Sequence, residues 1–339
     1  TRGQVAFTDR YDKSIPVALN RDFPLVYAVP RDIKDPVKAA SLLAPVVEWE
    51  EKDLLKTINN SKLLFRTIFD KATPGMIEAV SNLGLEGIYI DQKQYRFYPF
   101  DRLSSQALGF VGVNEKTSEP TGLYGIEKLW NDRLSAGDDI KMTIDLNLQT
   151  ESEQTLDRLI EKYGATGGTI IIQEPMTGKV LAMAGKPDFN PNDYQDYPIG
   201  NFINPAVQSM YEPGSVFKPF TMATGIELGV LTPDTTFLDT GSVTLNGKTI
   251  HNSGSKVYGR ISMTNVIENS VNTGAVYAEN LIGHANFKKY LKEFGFGAPT
   301  GIDLPDEISG SLRNLEKKDI RAIDYATASF GQGTGVTPI

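Results

Sequence analysis

Two apolar runs joined by a short turn limit the fold of this chain more than any other feature. Gly168-Thr169-Ile170-Ile171-Ile172-Gln173 and Lys179-Val180-Leu181-Ala182-Met183-Ala184 flank a turn through Pro175 and Gly178. Neither run alternates with polar residues, so the pattern predicts an antiparallel hairpin of central strands covered on both faces. One cover precedes it in sequence. Asp145 is placed to cap a helix, Leu148, Leu156, Leu159 and Ile160 give that helix an apolar face, and Gly164 is its expected left-handed stop. The chain after Pro205 reads as mostly helical with glycine punctuation. These signs predict an α/β multidomain protein.

Residues 1–140 alternate shorter strands and helices, which predicts an α+β scaffold. Leu25–Val29 reads as a strand bounded by Pro24 and Pro30. Val37–Asn59 has helical spacing interrupted at Pro45, which predicts two helices. Thr73-Pro74 opens another helix that Gly84 closes, and Gly87–Phe97 alternates like a strand. No cluster in this half suggests chemistry.

The chemistry is concentrated downstream. In Tyr211-Glu212-Pro213-Gly214-Ser215-Val216-Phe217-Lys218-Pro219, a helix starting at Ser215 stacks the Lys218 amine beside the Ser215 hydroxyl. Such a pair supplies nucleophile and base without a histidine. The positive end of the helix dipole disfavours an ammonium there, and the free N–H groups of the first turn face an oxyanion forming at Ser215. Ser270-Val271-Asn272 forms a second cluster. Ser270 can relay a proton to a leaving amine, and Asn272 can hydrogen-bond both Lys218 and a substrate amide.

Composition removes other chemistries. A net charge of −8 offers no field for nucleic acid. Absence of cysteine excludes disulfides, thiolate nucleophiles and thiolate-bound zinc. The two histidines, His251 and His284, lie far apart and read as surface or capping residues, against a Ser-His-Asp triad. No metal-ligand spacing, phosphate loop or dinucleotide fingerprint occurs, so neither cofactor nor metal is expected. No run reaches the ~20 apolar residues of a membrane span. Both ends, at Thr1 and Ile339, read as cut.

The ordered motifs resemble the class B penicillin-binding proteins. Ser215-Val216-Phe217-Lys218 looks like their first active-site motif, and Ser270-Val271-Asn272 is similar to their second. Glu174–Met183 resembles the hairpin opening their transpeptidase domain, while Gly125–Lys128 and Met142–Gln149 resemble the junction before it. Tyr98-Pro99 and Leu108–Gly112 resemble the N-terminal pedestal, and Ser329–Gly333 with Thr337-Pro338 the stretch after the second motif. The resemblance implies a pedestal over residues 1–144, for dimerisation or partner contacts. It implies a penicillin-binding, serine-β-lactamase-like transpeptidase domain over 145–339, an antiparallel sheet with helices on both faces.

Ser215, Lys218, Ser270 and Asn272 are its implied catalytic residues, cross-linking peptidoglycan stem peptides that end in D-Ala-D-Ala, with β-lactams acylating the same serine. A membrane glycosyltransferase partner and an N-terminal anchor at the outer face of the cytoplasmic membrane are also implied. The form of the first two motifs is closer to the septal than to the elongation type. A serine β-lactamase or β-lactam sensor, and a non-catalytic scaffold for wall or division proteins, are the alternatives.

One motif departs from the family. Lys-(Thr/Ser)-Gly does not occur, and Lys248-Thr249-Ile250 fails at its third position and lies before the second motif. A lost oxyanion donor costs on the order of 10²–10³ in rate, so residues 1–339 alone are expected to be inactive or crippled, from a truncated sequence.

Overall fold

The computed structural model describes residues 1–60, 64–114, 116–117 and 119–339. The chain divides into two compact units, each discontinuous in sequence. The first holds Thr1–Phe7, Ser14–Asp101 and Asp132–Met142. The second holds Thr8–Lys13, Arg102–Asn131 and Thr143–Ile339.

In the first unit the long strand Ser14–Ala28 pairs antiparallel with Ile88–Phe97 along one edge. Arg66–Phe69 pairs with the end of the long strand, and Val5–Thr8 with Ile140–Asp145, whose last residues are counted in the second unit, completes the five-stranded sheet. Three helices pack on it through Val26, Ala28, Leu43, Leu54, Ile58, Ile68 and Val80. Their ends follow the expected chemistry. Thr73 Oγ1 accepts the Met76 amide hydrogen at 3.3 Å, and Gly84 leaves the helix at φ 59°.

Two prolines behave differently from expectation. Helix Pro36–Val47 runs through Pro45 and ends only at Glu48, which adopts φ 55° before helix Glu51–Ile58. Pro45 lies in the last turn, where one missing N–H and little following helix make the ring tolerable. The Leu25 strand likewise starts well before Pro24, at Ser14. Pro24 stands opposite Gln92, and its carbonyl accepts a hydrogen bond from Ala72 N at 2.8 Å instead of from a ladder partner. A proline survives within a strand where no ladder donor is needed.

In the second unit Asp145 caps helix Leu146–Tyr163 by accepting from Asn147 N and Leu148 N, and Gly164 closes it at φ 61°. The helix lies against the hairpin Gly168–Gln173/Val180–Lys186, where buried Gln149 bonds both the amide and the carbonyl of Met183. The short helix Pro205–Gln208 packs on the same two strands. Ala182, Met183 and Ala184 are buried, whereas Ile170, Ile171 and Ile172 are half-buried because this hairpin is a two-stranded sheet. Arg102–Asn131 joins this unit through an aromatic cluster of Phe110, Tyr124, Phe189, Tyr194 and Phe202.

The core of the second unit is helix Asn272–Ile282, with Ala275, Val276, Ala278 and Ile282 all buried. Helices Lys218–Glu227, His284–Glu293 and Ala322–Ala328 surround it. Helix Met263–Glu268 also reaches it. A Cβ on Gly274 would stand 2.3 Å from Val266 Cγ2, so only glycine permits that close approach. Among the described residues, no helix is long and apolar enough to cross a membrane.

Candidate active site

Pro213-Gly214 delivers the chain into a 3₁₀ turn, Gly214–Phe217, and the α-helix proper starts at Lys218. Ser215 therefore sits in the entry turn, not in the first α-helical turn. The tighter turn still brings Lys218 Nζ to 3.1 Å from Ser215 Oγ. The apolar neighbour Phe217 anchors the turn in a cluster with Ile282, Phe287, Leu291 and Leu315.

Lys218 is 1% exposed and has no carboxylate partner among the described residues. Burial disfavours the ammonium and pulls its pKa down to about 8. Its remaining neighbours come from one segment. Nζ lies 2.8 Å from the Ser270 carbonyl oxygen, 2.9 Å from Ser270 Oγ and 2.9 Å from Asn272 Oδ1. A neutral amine has two N–H bonds and one lone pair. The carbonyl and Oδ1 can only accept, so they take both hydrogens, and the lone pair is left for the hydroxyls of Ser215 and Ser270.

The orientation of Asn272 is fixed from behind. Its Nδ2 donates to the His251 carbonyl at 3.0 Å, which turns Oδ1 toward Lys218. Ser270 is held at φ 54°, a left-handed conformation uncommon for a residue with a side chain. That bend carries both its carbonyl and its hydroxyl to one amine. All four residues singled out from the sequence thus meet around Lys218 Nζ.

Further residues support the site without an obvious sequence signal. Asp239, 1% exposed, accepts from Thr273 Oγ1 at 2.6 Å, Gly241 N at 3.0 Å, Tyr258 N at 2.8 Å and Asn252 Nδ2 at 3.0 Å. Asn252 in turn accepts from Thr273 N at 3.1 Å. Burial pushes the Asp239 carboxyl up, but the bonds from Thr273, Gly241, Tyr258 and Asn252 outweigh it and hold the pKa below the ordinary range. Strand end and helix start are clasped together immediately beside His251 and Asn272.

The Ser329–Gly333 stretch lies along the residues that precede Ser215. Gly214 N donates to the Gly331 carbonyl at 2.9 Å, and Gly333 N donates to Glu212 Oε1 at 3.0 Å. Gly331 has φ 81°, and a Cβ there would fall 2.1 Å from Gly214 O. A cleft of about 490 Å³ opens beside Asn272, lined by Lys248, His251, Arg321, Asp324, Thr327 and Gln332. Lys248 and Thr249 belong to the hairpin Ser242–Leu245/Lys248–His251, which turns at Asn246-Gly247.

The two histidines stand outside this arrangement. The His251 ring has no part in it, only its carbonyl. His284 begins a helix, stacks on Tyr325 with ring centroids 4.1 Å apart, and contacts Glu279 at 2.7 Å. Among the described residues no group of three or more His, Cys, Asp or Glu side chains could hold a metal ion. Chemically, the site offers a hydroxyl beside a desolvated amine whose burial favours the neutral form, with a second hydroxyl within reach of the same nitrogen. That suits acyl transfer through a serine ester.

Comparison with known proteins agrees with this geometry. Residues 168–339 match the penicillin-binding protein transpeptidase domain, and residues 1–167 match the penicillin-binding protein dimerisation domain. Stage V sporulation protein D of Bacillus subtilis is 32% identical over 96% of this chain and 54% of its own length. A peptidoglycan D,D-transpeptidase FtsI homolog of Mesostigma viride is 30% identical over 85% of this chain and 55% of its own. A probable peptidoglycan D,D-transpeptidase FtsI of Caulobacter vibrioides is 28% identical, over 93% and 52% respectively. The chain spans about half the length of these relatives. With a dimerisation domain leading into a transpeptidase domain, and a Ser-x-x-Lys turn packed on Ser-x-Asn, the chain belongs to the class B penicillin-binding proteins.

Proposed function

We propose that this protein is a serine D,D-transpeptidase that cross-links peptidoglycan stem peptides in bacterial cell-wall synthesis. The observation that carries it is the Lys218 amine, buried, without a carboxylate partner among the described residues, and within 3.1 Å of Ser215 Oγ. Lys218 takes the Ser215 proton as Oγ attacks the carbonyl between two terminal D-alanines. The C–N bond then breaks, Ser270 Oγ passes a proton to the departing D-alanine amine, and an ester remains on Ser215. An amine of a neighbouring stem resolves the ester by the same route in reverse. Asn272 holds Lys218 and bonds the substrate backbone. β-Lactams present the same acyl carbon and form a slow-clearing ester.

The pedestal role belongs to residues 1–144 and the chemistry to 145–339 in this reading. The protein works at the outer face of the membrane, through an anchor, beside a membrane glycosyltransferase. The form of the two motifs favours a septal role over elongation. Residues 1–339 contain no Lys-(Thr/Ser)-Gly, and we expect this polypeptide alone to acylate poorly.

Fluorescent penicillin offered to the full-length protein tests the reading. A stable adduct that disappears in Ser215→Ala is the expected result. Fast release of label would instead indicate a β-lactamase, and no adduct a non-catalytic scaffold.

A further inference from the structure

Among the described residues, the strand Ile88–Phe97 is paired in the sheet along one edge, with Ser14–Ala28. Which of its backbone groups point outward follows from two observations. Gln92 N donates to Asp91 Oδ1 at 2.7 Å, not to the sheet. Its cross-strand neighbour is Pro24, which has no N–H and whose carbonyl is taken by Ala72. Gln92 is therefore in a non-hydrogen-bonded pair, and the N–H and C=O groups of Ile90, Gln92, Gln94 and Arg96 face away from the sheet. The strand that carries this outward row is ten residues long, and its middle, Tyr89–Gln94, is exposed. An edge of that length is a template for another strand.

The side chains make one register self-complementary. Placing a second copy antiparallel about a two-fold axis through Gln92 sets Gln92 opposite its own copy, with the outward groups of both in hydrogen-bonding position. Asp91 then faces Lys93 of the other copy, twice, in the closely spaced non-hydrogen-bonded positions. Tyr89 faces Tyr95 of the other copy on the same surface. Tyr89 already packs on Tyr27 with centroids 5.5 Å apart, and Tyr95 on Phe23 at 6.2 Å. The two aromatic rows would join into one. A shift of one residue would turn the outward groups out of register, and a shift of two would bring Lys93 opposite its own copy.

We propose that two copies of this protein associate by antiparallel pairing of Ile88–Phe97, centred on Gln92, into one continuous sheet. The family description matched by residues 1–167 names dimerisation without a surface, and this strand edge supplies one. The association is isologous and closes at two. It does not depend on the chemistry at Ser215.

Sedimentation equilibrium on the full chain and its variants decides it. The wild type is expected to form dimers. Asp91→Lys and Lys93→Asp each turn both ion pairs into like-charge pairs and are expected to weaken the dimer about tenfold or more. The double variant, with the charges exchanged, restores opposite pairs and is expected to return to near wild-type affinity. Gln92→Pro removes an outward N–H that no ladder bond of the monomer uses, at the cost of its local bond to Asp91, and it is expected to give a folded monomer. A wild type that is monomeric at ~100 µM overturns the proposal. So does a double variant as weak as the singles, or a Gln92→Pro protein that still dimerises.

Discussion

Asp239 accepts the hydroxyl hydrogen of Thr273 at 2.6 Å, and Thr273 directly follows Asn272. Asp239 therefore acts on the site at one remove, through the start of the helix that carries Asn272. Replacing it with Asn keeps the shape but sets an amide group among donors. Asp239→Asn is expected to cost about 1–3 kcal/mol of stability and to slow penicillin acylation. The slowing should vanish in an Asn272→Ala background if it runs through Asn272. Equal slowing in both backgrounds refutes the route. Because the folded carboxyl titrates below 3.8, its stabilising share is present above that pH and is lost as pH falls through the lower folded value. Melting curves of wild type and variant should converge in that acid range.

Acylation should follow the neutral form of Lys218. The rate is expected to rise with pH and level off above about 8. The same group makes stability depend on pH. Unfolded Lys218 keeps its proton up to its ordinary 10.5, so the unfolded state binds more protons between about 8 and 10.5, and stability rises with pH across that window. Lys218→Met should abolish acylation and flatten this rise. A rise of the same size in the variant would assign it to another group.

Ser270 combines the hydroxyl of the proposed proton relay with an unfavourable backbone. Ser270→Gly relieves the left-handed conformation and Ser270→Ala does not. The glycine variant is therefore expected to be more stable than the alanine variant by about 1 kcal/mol. Both lose the hydroxyl, and turnover of a D-Ala-D-Ala substrate should drop on the order of 10²-fold in each. Denaturant melts and a D-alanine release assay separate the two effects.

Gly331→Ala should disturb the nucleophile from a distance of 116 residues in sequence, the interval from 215 to 331. The new methyl group meets the Gly214 carbonyl, and the backbone conformation disfavours it as well. A loss above ~2 kcal/mol is expected, with acylation slowed even where the protein is folded. Normal labelling of a folded Gly331→Ala protein would mean that the turn tolerates displacement.

Local chemistry was legible in the sequence where a side chain serves its own neighbours. Thr73 and Asp145 cap the helices they precede, and Gly84 and Gly164 end them, because those bonds close within a few residues. Ser215 and Lys218 were legible for the same reason, and Ser270 and Asn272 through order and resemblance. Pro45 and Pro24 misled because a proline's cost depends on where its missing hydrogen would have pointed, which only the tertiary structure settles. Asp239 left no trace because its partners Asn252, Tyr258 and Thr273 lie 13 to 34 positions away. The Ser215 entry turn is 3₁₀ because Gly214 at φ 64° and the Gly331 contact shape it together.

The lone pair of Lys218 stands between two hydroxyl groups, while both of its hydrogens are engaged elsewhere. One seat and two claimants impose a sequence of events. In the proposed reaction a proton arriving from Ser215 would fill the seat, and until it departed by way of Ser270 the amine would have nothing to offer a second attacker. Bond making and leaving-group expulsion would thereby be kept in step, in that reaction, by the occupancy of a single orbital, with no moving part required.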